Sequence, residues 1–302
     1  MANTLKKIAF CLYLALAVLG LQAQNKALVF QTDFGLKDGA VAAMKGVAFS
    51  VSPDLKQFDL THEIPPFDIW QAAYRLEQTV SYWPSGTVFV SVVDPGVGSV
   101  RKSVVAKTKS GHFIVTPDNG TLTLIAESLG IDSLRQIDEN VNRLKGSGDS
   151  YTFHGRDVYS YTGARLAAGV IRFDEVGPAL SPAVERITYQ PAEFKAGNFH
   201  GNIPVLDVQY GNVWTNIPFS LLQSNGIAYG DSLLVRIFHH KKPVYSGKMI
   251  FGTTFSAVKE GLPVAYINSL LNFSFGINMG SFAGKHRIAS GSEWSVIIAK
   301  VR

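Results

Sequence analysis

Short apolar runs alternate with helix-period segments from Ala27 onward, which limits the chain to folds that layer helices on a sheet. The apolar runs predict buried strands at residues 27–31, 88–93, 103–106 and 113–115. Apolar residues that recur every three or four positions predict helices at 38–52, 69–80 and 157–168, with Asp38 near the start of the first. The alternation predicts an α/β domain.

The pattern changes after about Arg186. A loop-rich stretch is followed by short β-rich runs with glycine-containing turns, at residues 203–208, 233–239, 243–250, 264–268 and 294–301. Regularly spaced strands of this kind predict a small β-barrel or sandwich. The chain of 302 residues is also long for a single hydrophobic core. We therefore predict an N-terminal α/β domain at 25–190 and a smaller C-terminal β-barrel domain at 198–302.

The beginning of the chain has the features of a secretory signal. Lys6 and Lys7 precede an uncharged apolar run from Ile8 to Leu21, which is short for a membrane span, and Gln22-Ala23-Gln24 follows with the small Ala23 as the expected cleavage position. This predicts a signal peptide at residues 1–23 and an exported, periplasmic protein without a stable membrane anchor. A buried or membrane-anchoring helix is the alternative, and the protein is cytoplasmic if the segment is not a signal.

Charge and cysteine content exclude several classes of protein. Removal of the predicted signal takes away Lys6 and Lys7, so 28 basic residues become 26 against 23 acidic ones. This balance argues against a protein that coats nucleic acid. The same cleavage removes Cys11, the only cysteine, which excludes disulfides, cysteine nucleophiles and thiolate metal sites from the mature chain.

Two carboxylates follow predicted buried strands. Asp33 comes directly after the first strand, and Asp94 follows the strand at 88–93 within Asp94-Pro95-Gly96-Val97-Gly98. Open α/β sheets bind ligands at the carboxyl ends of their strands, so both acids are candidates for a site. Asp94 could equally be a turn residue, because the Pro-Gly pair after it suits a β-turn.

A third polar cluster, Thr152-Phe153-His154-Gly155-Arg156-Asp157, stands at the entry to the helix predicted at 157–168. A capping or core role is the ordinary explanation for one histidine among seven. The sequence has no Gly-x-Ser-x-Gly elbow, Walker loop or His-Glu-x-x-His motif. The residues alone therefore predict polar groups gathered at strand ends, and no particular reaction.

Taken together and in order, the motifs resemble the S-adenosylmethionine (SAM) hydroxide adenosyltransferase family, the SAM hydrolase branch related to fluorinating and chlorinating SAM enzymes. The likeness covers nearly everything after residue 26. It is carried by Thr32-Asp33-Phe34-Gly35 with Asp38 and Met44-Lys45-Gly46-Val47, Trp83-Pro84-Ser85-Gly86-Thr87, Val92-Val93-Asp94-Pro95-Gly96-Val97-Gly98 with Arg101, Pro117-Asp118-Asn119-Gly120, Phe153-His154-Gly155-Arg156-Asp157, 207–217 and Asn268-Ser269.

The resemblance implies an enzyme that hydrolyses SAM to adenosine and L-methionine with the catalytic residues Asp94, Arg101 and His154. Halogenating relatives lack the Asp-Pro-Gly-Val-Gly segment and carry a hydroxyl side chain where this chain has Gly155. The family further implies a homotrimer that binds SAM where one subunit's first domain meets its neighbour's second. SAM is the substrate, so no cofactor and no metal are expected, and nucleic acid is not an expected partner.

The resemblance also assigns residues that bind the substrate. Asp33 is expected to hold the ribose hydroxyls, with Trp83 beside the sugar. Asp207 is expected to pair with the methionine ammonium, Ser269 with its carboxylate and Asn212 with the adenine edge, while Trp214 covers the substrate. Asp207 and Asn212 also flank Tyr210-Gly211 and could be simple turn formers. Leu270 departs from halogenating relatives, which have a basic residue there.

The chemistry of the expected reaction suggests a different role for each of the three catalytic residues. Methionine leaves the sulfonium as a neutral thioether and needs no acid, so the site must hold and activate a water molecule. His154 is the member of the set that can accept a proton near neutrality, whereas Arg101 stays protonated and Asp94 compensates its charge. A chlorinase using the same fold and a non-catalytic protein that binds SAM or adenosine are the two alternative functions.

Overall fold

The structure is a computed structural model, and it describes residues 25–301. The signal peptide predicted at 1–23 lies outside these residues. The chain divides into two compact units, each described here by itself. The first comprises residues 25–67, 79–119 and 125–184, and the second comprises 68–78, 120–124 and 185–301. The short segments 68–78 and 120–124 thus pack with the later part of the chain. A single domain boundary near residue 190 therefore does not describe the two units.

A mixed seven-stranded sheet forms the first unit, in the order β2-β1-β3-β5-β4-β6-β7. Strands β2, β1, β3 and β5 run parallel, while β4, β6 and β7 extend the sheet in antiparallel fashion. Their bounds are β1 Ala27–Thr32, β2 Lys56–Thr61, β3 Val88–Val92, β4 Ser103–Thr108, β5 Phe113–Pro117, β6 Ile131–Gln136 and β7 Ala179–Leu180. β1 and β3 are completely buried, as their apolar sequences predict.

The helices of the chain are α1 Ala40–Val51, α2 Ile69–Val80, α3 Thr123–Ser128, α4 Tyr161–Ala167, α5 Phe219–Ser224 and α6 Phe282–His286. α1 buries Val41, Met44, Val47 and Ala48, the apolar face predicted from sequence, and the Asp38 carboxylate accepts a hydrogen bond from the first helical N–H. The helix predicted at 157–168 is instead a π-helical turn, Gly155–Ser160, that continues into α4. Wide turns of this kind are frequent at functional sites.

A nine-stranded sheet forms the second unit, in the order β10-β11-β15-β14-β13-β12-β16-β9-β8. All pairs are antiparallel except β13 with β14. The bounds are β8 Glu193–Lys195, β9 Asn198–Ile203, β10 Val205–Asp207, β11 Asn212–Pro218, β12 Ser232–His239, β13 Lys242–Phe251, β14 Pro263–Ile267, β15 Asn272–Ile277 and β16 Gly291–Lys300.

Opposite ends of this sheet approach each other. The backbone N–H of Asn202 in β9 donates to the side-chain oxygen of Asn216 in β11 at 2.7 Å. The sheet therefore curls round on itself, as the predicted barrel requires, and encloses an aromatic and aliphatic core that includes Phe199, Phe251 and Phe273. α2 packs with this unit, since the Trp70 indole donates to the carbonyl of Pro204 at 3.0 Å.

Sequence analysis did not predict some of the strands, because their sequences are only weakly apolar. β2 and β6 lie near the edges of the first sheet and carry many polar residues, and β15 contains Asn, Ser and Gly. The strand predicted at 203–208 is divided between β9 and β10, because Pro204 has no N–H for the ladder. Within residues 25–301, no helix has the length and apolar character needed to cross a membrane.

Candidate functional site

Adjacent parallel strands bring Asp33 and Asp94 together. Thr32, the last residue of β1, pairs with Val92, the last residue of β3, so the acids that follow emerge at the same edge of the sheet. Both line a cavity of about 270 Å³ in the first unit. The other lining residues are Phe34, Pro66, Phe67, Val92, Val97, Thr152, Phe153, His154 and Gly155.

Asp94 forms a two-pronged ion pair with Arg101. The Arg101 Nε donates to Asp94 Oδ1 at 2.8 Å and its Nη2 binds Oδ2. The side chains are only 5% and 12% exposed, so the pair is largely removed from water. Asp94 also closes a turn, since its carbonyl accepts from the N–H of Val97 at 3.2 Å. The turn-forming and functional interpretations of Asp94 are therefore compatible.

The side chains of Ser103 and Tyr159 form hydrogen bonds with this ion pair. Arg101 Nη1 donates to Ser103 Oγ at 2.8 Å, and the Tyr159 hydroxyl lies 3.1 Å from the same oxygen. The Tyr159 hydroxyl also donates to Asp94 Oδ2 at 3.5 Å. Burial raises the pKa of Tyr159, so it remains a neutral donor. These contacts fix the orientation of the Asp94 carboxylate.

His154 joins the pair from the start of the π-helical turn. Its Nδ1 lies 3.3 Å from Arg101 Nη2, and the residue is buried. The structure thus brings the three predicted catalytic residues together from two separate parts of the sequence. Asp94 and His154 line the cavity, whereas Arg101 lies against them without belonging to the lining.

The His154 ring is held in its neutral form. Burial lowers its pKa below the ordinary imidazole value; the Glu139 and Asp94 carboxylates oppose this effect, and the Arg101 and Arg143 guanidinium groups reinforce it. An uncharged imidazole has a lone pair that can accept a proton. The site therefore contains a base in its active form at neutral pH.

The charges around the cavity suit a cationic ligand. Two carboxylates, those of Asp33 and Asp94, line it, and within residues 25–301 its lining contains no lysine or arginine. The Arg101 guanidinium lies against Asp94 and compensates that charge, whereas Asp33 leaves a negative potential at the cavity.

Asp33 is fixed by the backbone of a neighbouring loop. Its Oδ2 accepts a hydrogen bond from the N–H of Phe67 at 2.9 Å. Phe67 has a φ of +69°, which is uncommon for a bulky residue, and its side chain is 69% exposed at the cavity. Strained backbone beside a cavity is a feature of functional sites.

A hydrogen-bond chain that begins at the buried Thr32 supports the Asp33 loop. Thr32 Oγ1 lies 2.8 Å from His62 Nδ1, and His62 Nε2 lies 3.0 Å from Asp59 Oδ1. Asp59 also accepts a hydrogen bond from Lys45 Nζ at 2.6 Å, and the two hydrogen bonds lower its pKa against the opposing effect of burial. This chain holds the end of β1 in place.

Trp83, predicted to stand beside the sugar, is not among the residues that line this cavity. It precedes β3, where Asn25 Nδ2 donates to the nearby carbonyls of Pro84 and Ser85. Its ring packs at 5.0 Å from the Phe58 ring. Trp83 therefore lies at the amino end of strands whose carboxyl ends carry Asp33 and Asp94. The aromatic residue beside Asp33 is Phe67, which sequence analysis missed.

The second unit contains a larger cavity of about 760 Å³. All four substrate-binding residues predicted in this part of the chain line it, namely Asp207, Asn212, Trp214 and Ser269. Sequence analysis missed other lining residues, including Tyr210, Phe255, Tyr266 and Met279. Leu270 is not part of the lining, and its N–H donates to Asn268 Oδ1 at 2.9 Å.

Asp207 and Asn212 are paired across a hairpin. Asp207 ends β10, Asn212 begins β11, and the Asn212 amide donates to the Asp207 carboxylate at 3.1 Å. The Asp207 carbonyl accepts from the N–H of Gly211 at 2.7 Å, so the residues also form the turn. Their turn and ligand roles are thus compatible. Burial raises the pKa of the neighbouring Tyr266 to about 12, which leaves a neutral hydroxyl at the cavity.

Comparison with protein families identifies both parts of the chain. A model described as the SAM hydroxide adenosyltransferase N-terminal domain matches residues 28–177. A second, described as the SAM hydroxide adenosyltransferase C-terminal domain, matches residues 201–295. Together the two matches cover most of the 302 residues.

Individual relatives agree with this result. The chain is 47% identical over 216 residues to the (R)-S-adenosyl-L-methionine hydrolase of Methanocaldococcus jannaschii, covering 70% of this chain and 73% of the relative. A fluorinase from Actinopolyspora mzabensis is 26% identical over 290 residues, covering 87% and 94%. The crystal structure of an uncharacterized conserved protein from Thermotoga maritima superposes with a TM-score of 0.80 at 31% identity, covering 90% and 99%.

Proposed function

Because the chain belongs to the SAM hydroxide adenosyltransferase family, we propose that it hydrolyses SAM to adenosine and L-methionine. The observation that carries this proposal is the meeting of Asp94, Arg101 and His154 at one cavity edge. Relatives named as hydrolases are 33–47% identical, against 26–28% for fluorinases, which favours water over halide as the nucleophile.

The reaction is a displacement at the ribose C5′. The oxygen of a water molecule forms a bond to C5′ while the C5′–S bond breaks, and its electrons pass to sulfur. Methionine leaves as a neutral thioether, and one proton of the water is released. Since the substrate already carries its leaving group as a sulfonium, the site's task is to orient the water and accept its proton.

Each of the three residues has a distinct part. Asp94 and His154 line the cavity and hold the water, and neutral His154 accepts its proton as the C–O bond forms. Arg101 fixes the Asp94 carboxylate and the edge of the imidazole, and its positive charge stabilises the developing hydroxide. Asp94 compensates that charge beside a cationic substrate.

Gly155 supports the choice of water over chloride. A Cβ atom at this position would lie 3.0 Å from two atoms of the Phe34 ring, so a larger residue requires that ring to move. The hydroxyl side chain that the halogenating pattern places here would therefore require the Phe34 ring to shift by a few tenths of an ångström. The chlorinase alternative is accordingly disfavoured.

The remaining assignments follow the chemistry of SAM. Asp33 accepts from the two ribose hydroxyls, since a carboxylate has oxygen lone pairs for both. In the second-unit cavity Asp207 pairs with the methionine ammonium, Ser269 donates to its carboxylate, Asn212 contacts adenine and Trp214 covers the ligand. This cavity is large enough for a ligand of that size.

We further propose a homotrimer in which SAM lies between the first unit of one subunit and the second unit of its neighbour. Large apolar side chains are exposed at the rim of each cavity, including Phe67 at 69%, Tyr210 at 67% and Met279 at 81%. Exposed apolar groups next to a polar cavity are typical of a contact surface.

The protein acts outside the cytoplasm if residues 1–23 are a signal peptide, and the mechanism requires no cofactor or metal.

The relatives' name gives a further guide to the substrate. Because "L" already specifies the amino acid centre, "(R)" refers to the sulfonium sulfur. The two sulfur epimers should therefore be assayed separately.

Chromatography of the products tests the proposal. Purified protein incubated with each SAM epimer, with and without chloride, is expected to release adenosine and methionine at a rate that chloride does not change. The His154→Ala variant serves as the matched control. Formation of 5′-chloro-5′-deoxyadenosine would show a chlorinase, and saturable adenosine binding without any product would show a binding protein.

Hydrolysis should persist into mildly acidic solution. His154 must be unprotonated to accept a proton, and its pKa is lowered mainly by burial. A lowered pKa keeps the ring neutral to lower pH, so the acid limb of the profile of kcat against pH is expected below the ordinary imidazole pKa of about 6.5. An acid limb at or above that value would contradict this assignment of the base.

A further inference from the structure

A second guanidinium group stands on the far side of His154. Arg143 Nη1 lies 3.5 Å from His154 Nε2, while Arg101 Nη2 lies 3.3 Å from Nδ1. The imidazole is therefore bracketed between two arginines, one at each ring nitrogen. Arg143 is not part of the motif that identifies the family in this sequence, and the mechanism above gives it no role.

Arg143 is held firmly in this position. Its Nη1 donates to Glu139 Oε2 at 2.7 Å, and its Nη2 donates to the carbonyl of Ser150 at 2.7 Å. The guanidinium also lies 4.4 Å from the centre of the Tyr151 ring. Its side chain is 10% exposed. These contacts prevent the group from turning away when the charge on His154 changes.

The two arginines on either side of His154 favour the neutral form of its ring over the protonated form. Guanidinium groups only donate hydrogen bonds, and a protonated imidazole carries N–H groups on both nitrogens. The charged ring would therefore turn an N–H toward each of two cations, whereas the neutral ring turns an N–H toward only one of them and keeps a lone pair. Glu139 and Asp94 are the carboxylates that oppose this effect, and the Tyr151 ring lies 6.3 Å from that of His154.

We propose that Arg143 is a positioning residue for SAM hydrolysis, which keeps His154 uncharged so that it can face a sulfonium and accept the proton of the water. This inference rests on the proposed hydrolase function. Glu139 sets the strength of the effect of Arg143 on His154, because the Glu139 carboxylate both anchors Arg143 and partly compensates the guanidinium charge. A protonated ring at the same place would repel the cationic substrate.

Titration of His154 by NMR tests this inference without substrate. The full chain is labelled at its histidines, and the His154 signal is identified by its loss in His154→Gln. In Arg143→Gln the titration midpoint should move to higher pH, in Arg143→Lys it should stay close to wild type, and in Glu139→Gln it should move lower. Arg165→Gln is the matched control, since Arg165 donates to the carbonyl of Val141 in the same loop region.

Kinetics provide a second readout. With an ordinary imidazole pKa of about 6.5, Arg143→Gln should be about tenfold slower at pH 5.5 than at pH 8, a larger drop than in wild type. An unchanged midpoint in folded Arg143→Gln, or an equal shift in Arg165→Gln, would overturn the inference. If wild type releases no adenosine, the hydrolase proposal fails, whereas the NMR midpoints still decide whether Arg143 controls His154.

Discussion

Arg101→Ala is expected to lower kcat for SAM hydrolysis by about 10²-fold or more, while SAM binding is largely retained. The substitution removes the guanidinium that binds both oxygens of Asp94 and contacts the His154 ring. The Asp94 carboxylate and the imidazole would then lose the group that orients them, and the developing hydroxide would lose the positive charge assigned to stabilise it. Steady-state kinetics with SAM, together with calorimetric titration, separate the two effects.

This experiment needs a control for the loss of stability in the Arg101→Ala variant. Removing one partner of a buried ion pair costs about 3–5 kcal/mol, because it leaves the other charge buried and unpaired. Arg101→Ala combined with Asp94→Asn removes both charges and should recover part of the thermal stability without recovering activity. Equal losses of turnover and of SAM binding in a folded Arg101→Ala protein would contradict its assigned role.

Asp33→Ala is expected to weaken SAM binding by about 10²-fold, seen as a higher Kd and KM. Hydrogen bonds to a charged group contribute about 1.5–3 kcal/mol each, and the carboxylate is assigned to two ribose hydroxyls. The Phe67 N–H would also lose its acceptor, which frees the loop at the cavity. Calorimetric titration of the folded variant measures the affinity directly.

Asp33→Asn separates the two contributions. An amide oxygen can still accept from the Phe67 N–H, but it lacks the charge and the lone pairs needed for both hydroxyls. Its affinity should fall between those of wild type and Asp33→Ala. A wild-type Kd in both variants would show that the ribose binds elsewhere.

The strand-end position of the acids could be predicted from sequence because it follows from local rules. Two continuous apolar runs identify β1 and β3, and parallel pairing places the residues after both runs at one edge. The order of these strands along the sheet is set by long-range packing and could not be read from the runs themselves. The register Thr32 with Val92 is what turns two separate acids into one site.

The residue patterns did not predict that Arg143 lies beside His154. Arg143 and Arg101 lie far apart in the chain, and His154 stands between them, directly before the π-helical turn. Phe67 was missed for a similar reason, because its importance depends on a positive φ and on its N–H bond to Asp33.

Isotopic labelling of the solvent tests the central claim most directly. Our account requires that the new bond at C5′ be formed by water oxygen, with Asp94, Arg101 and His154 around that water. SAM hydrolysed by the enzyme in H₂¹⁸O should therefore give adenosine that is heavier by about 2 Da, with the label on the 5′-oxygen, and unlabelled methionine. Unlabelled adenosine, or ¹⁸O found instead in homoserine released together with 5′-methylthioadenosine, would contradict attack at C5′ and with it the assigned site.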